Sequence, residues 1–250
     1  MHVQIGEGSF GKVFMGLNER TGELFAIKQI SLMDGTQSEA EKLEAEIHVM
    51  KSLCHRHIVR YIGTSRGDRN LYIFLEYVPG GSIATMLSRF GVFQEGLIRR
   101  FMYQILLGVS YLHNNGIMHC DIKGANVLVT EQGIAKLADF GCSKQLQGMR
   151  TQSFEESAHG IRGSVMWMAP EVIKQTRHGR SADVWSAGAT MIEMGTAHRP
   201  WPAFTNNLAA MFHVATTREP PPPPDGLSAA ANDFLARCMC IDPVRAVTRR

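Results

Sequence analysis

The alternation of apolar and polar positions changes character near residue 80. From Ile5 to Ile30, strand-like runs are punctuated by glycine, and "NERTGE" (Asn18 to Glu23) supplies the turn residues of a hairpin. The period then lengthens. Ala40, Leu43, Ile47 and Met50 fall on one helical stripe, and Glu46 lies beside it, three residues after Leu43 and four before Met50. "RNLYIFLEYVPGGS" reads as a strand entering a Pro-Gly-Gly break. Ser82 then stands where a helix N-cap belongs, with Ile83, Met86, Leu87 and Phe90 on one face and Gly91 at the end. Longer helical patterns follow at 95–115, 181–195 and 228–240. Between two of them, "EPPPPPD" at 219–225 must run extended, and a rigid spacer is preferred to a ligand for a proline-reading module. The break separates a strand-rich part, 1–78, from a helix-rich part, 79–250.

Composition narrows the classes. A chain of 250 residues suits one large domain or two lobes. Apolar residues at 44% and charged residues at 20% are ordinary for a packed core. A net charge of +3 without a lysine-arginine block gives no reason to expect nucleic acid. Five scattered cysteines, an odd number, do not resemble a disulfide framework and fit a reducing, cytoplasmic setting. "CHRH" at Cys54 to His57 lacks a second ligand pair at zinc-finger spacing. Phe101 to Cys120 contains no Asp, Glu, Lys or Arg, but Gln104, Ser110, His113, Asn114 and Asn115 mark a buried amphipathic helix closed by Gly116 rather than a membrane span.

The candidate chemistry is spread along the chain. "GEGSFG" (Gly6, Gly8, Gly11) is a weak dinucleotide fingerprint, because "KVFMGL" continues as strand where a Rossmann motif opens a helix; no Gly-Lys-Ser/Thr follows either. Glycines in a β-turn instead let backbone approach phosphate oxygens, and Val13 shares a strand face with Gly11. In "FAIKQI", Ala26 and Lys28 are two apart and so face the same way: a small floor for a flat base, and an amine for phosphates. A carboxylate on the apolar side of a helix is costly unless it meets a cation, so Glu46 is expected to pair with Lys28. In "HCDIKGANVL", Asp121 suits a proton acceptor, Lys123 a neutraliser of phosphoryl charge, and Asn126 a metal ligand. Asp139 of "LADFG" offers a second, charged ligand. Phosphoryl transfer asks a protein mainly to align a nucleophile and to spread cations over phosphate oxygens, and these groups do both.

In this order, the motifs resemble a eukaryotic serine/threonine protein kinase over nearly the whole chain. The match runs from "GEGSFG" through "AIK", "HCDIKGAN", "DFG" and "MAPE" (Met168 to Glu171) to "DVWSAGA" (Asp183 to Ala189). "HCDIKGANVLV", "KLADFGCSKQL", "VPGGSI" and "WMAPEVI" are similar to mitogen-activated protein kinase kinase kinases, particularly the plant-type branch. The resemblance implies an α+β, bilobal fold, with an antiparallel-sheet N-lobe carrying one regulatory helix and a mainly helical C-lobe. It also implies ATP and Mg²⁺ as cofactors and MAP kinase kinases as protein substrates. The nucleotide-binding residues it implies are Ile5, Gly6, Glu7, Gly8, Ser9, Phe10, Gly11, Val13, Ala26, Lys28, Leu75, Glu76, Val78, Ser82 and Leu128. Among these Leu75 takes the gatekeeper position, Glu76 and Val78 the hinge, and Ser82 a reach to ribose. Lys28, Glu46, Asp121 and Lys123 are the implied catalytic groups, and Asn126 and Asp139 the metal ligands. Ser164 would bridge Asp121 and Lys123, and Asp183 would anchor the catalytic-loop backbone.

Two departures stand out. Relatives usually carry Arg where Cys120 lies, and that arginine meets a phosphate on the activation segment; its loss predicts chemistry retained but weaker control by loop phosphorylation. Arg245 comes one place early for the arginine that pairs with Glu171, so that pair is expected to be rearranged or missing. Both departures suggest a nucleotide-binding scaffold as the alternative, but Lys28, Glu46, Asp121, Asn126 and Asp139 are all present. The chain begins close to the glycine loop and stops near the last expected helix, as a fragment or truncated product would.

Overall fold

Glycine and β-branched residues near the N-terminus build a five-stranded antiparallel sheet: β1 (His2–Gly8), β2 (Gly11–Leu17), β3 (Leu24–Ser31), β4 (Tyr61–Arg66) and β5 (Asn70–Glu76), in the order β1-β2-β3-β5-β4. The computed structural model describes residues 2–8, 11–32, 47–140, 142–145, 164–174, 176 and 179–241. The chain divides into two compact units, Met1–Pro79 and Gly80–Arg250.

In the first unit, the turn after β2 closes where the polar run predicts it. Asn18 N–H donates to the Glu23 carbonyl at 2.9 Å, and the Asn18 side chain accepts Arg20 N–H at 3.0 Å. Gly11 has φ 136°, and a Cβ there would collide with the Gln29 carbonyl, so glycine lets β2 approach β3 as well as shaping the loop before it. Residues 47–52 are helical, with Ile47 and Met50 buried as the stripe predicts. Ala40, Leu43 and Glu46 lie outside the described residues, as do Ser9, Phe10 and Arg245.

The second unit is mainly helical. Ser82 caps α1 (Ile83–Phe90) by accepting Thr85 N–H at 3.1 Å, and Gly91 ends it with φ 75°. Ile83 and Leu87 are buried, whereas Phe90, expected on the same face, is 76% exposed, because the last residue of the helix runs past the core it packs on. The uncharged stretch after residue 100 forms part of α2 (Glu95–Asn114), whose Phe101, Ile105, Val109 and Leu112 are buried. No helix among the described residues is long and apolar enough to cross a membrane.

After α2 come β6 (Ile117–Met118), a 3-10 turn (Gly124–Asn126), and the β7 (Val127–Val129) and β8 (Ala135–Leu137) hairpin. β9 (Lys144–Gln145) pairs with β6. A second 3-10 turn (Val165–Trp167) and α3 (Pro170–Ile173) lead to α4 (Arg180–Thr196), which is buried along most of its length and packs on α2. Helix α5 (Asn207–Thr216) has no counterpart in the sequence reading, because it exposes Leu208 and Phe212 while burying Ala210 and Val214, so apolar side chains sit on both faces. The proline run then leads to α6 (Ala229–Cys238), capped by Ser228. The five cysteines are not joined in disulfides, and burial pushes the Cys238 thiol up to about 12.

Candidate active site

The β-register of the first unit puts five of the predicted nucleotide-binding residues on one sheet face. Val13 is opposite Lys28, Lys28 opposite Ile73, and Ala26 opposite both Met15 and Leu75. Directly paired residues share a face, so Val13, Ala26, Lys28 and Leu75 form a contiguous patch. Gly6 pairs with Val13 and joins it, next to the irregularity in β1 at Ile5. Lys28 is 9% exposed, a degree of burial that a lysine tolerates only with a partner. Glu7 is exposed; Val78 is buried. Glu76 belongs to the opposite parity of β5, and its carboxylate accepts Arg60 N–H at 3.1 Å.

The second unit gathers the remaining groups around Asp121. Lys123 Nζ donates to both Asp121 oxygens, at 2.9 and 3.2 Å, and to Ser164 Oγ at 2.6 Å. The lysine is therefore the bridge between Asp121 and Ser164, where the sequence reading gave the bridging role to the serine hydroxyl. A flexible stem carrying three N–H donors reaches several acceptors at once, and a hydroxyl has a single proton to give. Asn126 Nδ2 donates to the Asp121 carbonyl and to Oδ2, each at 2.8 Å. With its amide nitrogen committed, Asn126 has Oδ1 left as the side-chain atom able to accept or ligate. Ala138 N–H donates to the Asn126 carbonyl at 2.9 Å, which fixes the approach of the next residue, half-buried Asp139, at φ 64°. Leu128 pairs with Lys136 in the β7–β8 hairpin and bridges to Ser82.

Asn126 and Asp139 suit Mg²⁺, a hard ion that usually takes one or two protein oxygens and completes its shell with phosphate and water. Among the described residues, no group of three or more His, Cys, Asp or Glu is placed to hold a metal ion.

Behind these groups lies a buried polar scaffold. Asp183, 1% exposed inside α4, accepts His119 N–H at 2.9 Å and Cys120 N–H at 2.8 Å, and its Oδ2 is 2.8 Å from His113 Nε2. This is the backbone anchor expected of it, since a buried carboxylate must be hydrogen-bonded. The His119 ring is held on three sides: its Nδ1 accepts Asp121 N–H at 3.3 Å, its Nε2 lies 3.1 Å from the Ala138 carbonyl, and it packs near Phe140 with centroids 5.1 Å apart.

Sequence reasoning missed Glu193. Its Oε2 accepts Gly124 N–H at 2.8 Å and Trp167 Nε1–H at 2.9 Å, tying α4 to both 3-10 turns. Burial raises its pKa, against the lowering effect of those two donors and of the Lys123 charge. The signal was available, since an acid within "ATMIEMG" is as conspicuous as Asp183 in "DVWSAG". Glu171 is buried and accepts Ser181 Oγ–H at 3.3 Å.

The protein kinase domain family matches residues 1–249. Mitogen-activated protein kinase kinase kinase 2 of Arabidopsis thaliana is 50% identical over 245 residues, covering 96% of this chain and 37% of the relative. Mitogen-activated protein kinase kinase kinase A of Dictyostelium discoideum is 48% identical over 244 residues, 96% of this chain and 25% of the relative. Serine/threonine-protein kinase STE11 of Saccharomyces cerevisiae is 38% identical over 280 residues, 95% of this chain and 38% of the relative. The chain spans little more than a third of the length of the curated relatives it matches most strongly.

Proposed function

We propose that this chain, which belongs to the protein kinase domain family, transfers the terminal phosphoryl group of ATP to serine and threonine hydroxyls of MAP kinase kinases. The observation that carries the reading is the contact of one ammonium, Lys123 Nζ, with both oxygens of Asp121 and with Ser164. In this reading the Asp121 carboxylate accepts the proton of the attacking hydroxyl, and Lys123 offsets charge on the phosphoryl group as it moves. Ser164 holds the ammonium from the other side. Asn126 Oδ1 and Asp139 hold Mg²⁺, which supplies positive charge on the phosphate oxygens when bound.

The sheet face of Val13, Ala26 and Leu75 takes the adenine, and Lys28 takes phosphate oxygens with Glu46 as its partner. The backbone of Glu76 and Val78 serves the base edge. The turn from Ile5 through Glu7 to Gly11 covers the phosphates, and Ser82 reaches ribose. Residues 1–78 and 79–250 are the two lobes of one kinase domain. The names of the relatives support the substrate class, and the odd number and scatter of the cysteines support a reducing, cytoplasmic compartment.

The test is phosphate incorporation from labelled ATP and Mg²⁺ into a purified MAP kinase kinase with its own lysine of catalysis replaced. Asp121→Asn is expected to lower turnover by roughly 10²- to 10⁴-fold with ATP binding kept, the range for a positioned acid-base group. Asp139→Asn is expected to raise the Mg²⁺ concentration needed. Equal incorporation by all three proteins contradicts the assignment.

A further inference from the structure

The proline run does more than join α5 to α6. Glu219 and Pro220 to Pro223 each precede a proline, which confines them to extended backbone, and no described peptide bond is cis. The segment is therefore a left-handed polyproline helix with three residues per turn. Burial follows that period: Pro221 and Pro224 are buried, whereas Glu219, Pro220, Pro222, Pro223 and Asp225 are exposed. Pro224 lies against α4, where a Cβ on Gly195 would come within 2.6 Å of its Cγ. Both ends are fastened. Glu219 N–H donates to Thr217 Oγ1 at 3.2 Å, and beyond the run Ser228 N–H and Oγ–H each donate to the Glu95 carboxylate at 2.7 Å.

We propose that the ridge Glu219 to Asp225 is a docking surface for a partner protein carrying an aromatic-lined groove that reads proline pairs in a polyproline helix. Such grooves take prolines three apart from a preformed helix, and Pro220 and Pro223 present that spacing outward. One face of three is spent on the protein's own core and two remain for a partner. The fold has already ordered the segment, which removes much of the entropy cost that a free peptide meets on binding. Prolines carry no N–H, so the ridge offers ring edges and carbonyl acceptors. A strand edge would find acceptors here but no donors for its own carbonyls, whereas tryptophan and tyrosine supply both an apolar face and a donor. Exposed Glu219 and Asp225 flank the prolines, beside one exposed cation, Arg218, so the matching groove has a cationic rim.

The experiment starts from purified WW and SH3 domains selected for binding a synthetic peptide of residues 217–226, then titrates each with the folded chain. The folded chain is expected to bind at least as tightly as the peptide. The double variant Pro220→Ala, Pro223→Ala should bind about tenfold more weakly or worse, with an unchanged thermal transition, while Phe212→Ser on α5 leaves binding as it was. Domains that bind the peptide but not the folded chain overturn the proposal, as does a peptide that none of the domains recognises. Self-association of the chain that disappears in the double variant would make a second copy the occupant and overturn it equally.

Discussion

The carboxylate of Asp183 receives the backbone N–H of Cys120 at 2.8 Å, at a residue whose φ is 64°. A non-glycine residue held in the left-handed region stores of order 1 to 3 kcal/mol and persists only where its surroundings over-determine it. Asp183 is that surrounding: its two oxygens take the N–H groups of His119 and Cys120, and the next residue is Asp121. The backbone leading into Asp121 thus depends on a carboxylate 62 positions later in the chain.

Removing this anchor should destabilise the second unit. Asp183→Ala leaves two N–H donors and His113 without their acceptor in a buried setting, at a cost of about 3 kcal/mol or more. Urea unfolding checks this, and a loss below about 1 kcal/mol would mean that water or another group satisfies the donors.

Position 120 should govern dependence on loop phosphorylation. Its thiol, half-buried on a fixed backbone, cannot form a bidentate pair with phosphate, whereas arginine can. Phosphatase treatment is expected to leave the natural chain within about twofold of its starting activity and to lower Cys120→Arg about tenfold, the worth of one charge-assisted hydrogen bond. If the natural chain loses all activity on dephosphorylation, Cys120 has not loosened the control.

Glu193 should imprint a pH dependence on stability. Burial raises its pKa in the folded chain above the ordinary 4.5, so the native state holds a proton that the unfolded chain has released. Stability then falls as pH rises from 4.5 to the elevated value and is flat beyond it. Glu193→Gln keeps an acceptor for Gly124 and Trp167 but does not titrate, so thermal unfolding across this window should move in the variant's favour as pH climbs. A difference independent of pH, or one moving the opposite way, contradicts the assignment.

Short-range order was legible because it obeys short-range rules. The strand alternation about Lys28, the Ser82 cap and the outline of α2 and α4 follow from the two periods of backbone geometry and from which residues end them. The order of Lys28, Asp121, Lys123, Asn126 and Asp139 was likewise enough to suggest phosphoryl transfer, since the chemistry demands those groups. Helix α5 escaped because apolar residues on both faces give no stripe to read. What packing alone decided is which distant groups meet: Lys123 with Ser164, Glu193 with Gly124 and Trp167, Pro224 with Gly195, and Phe90 left in solvent at the end of an apolar face. A period states which way a side chain turns from its own backbone. What waits on the other side depends on how segments far apart in the chain fill a common interior, and that is a property of the folded volume rather than of any local run of residues.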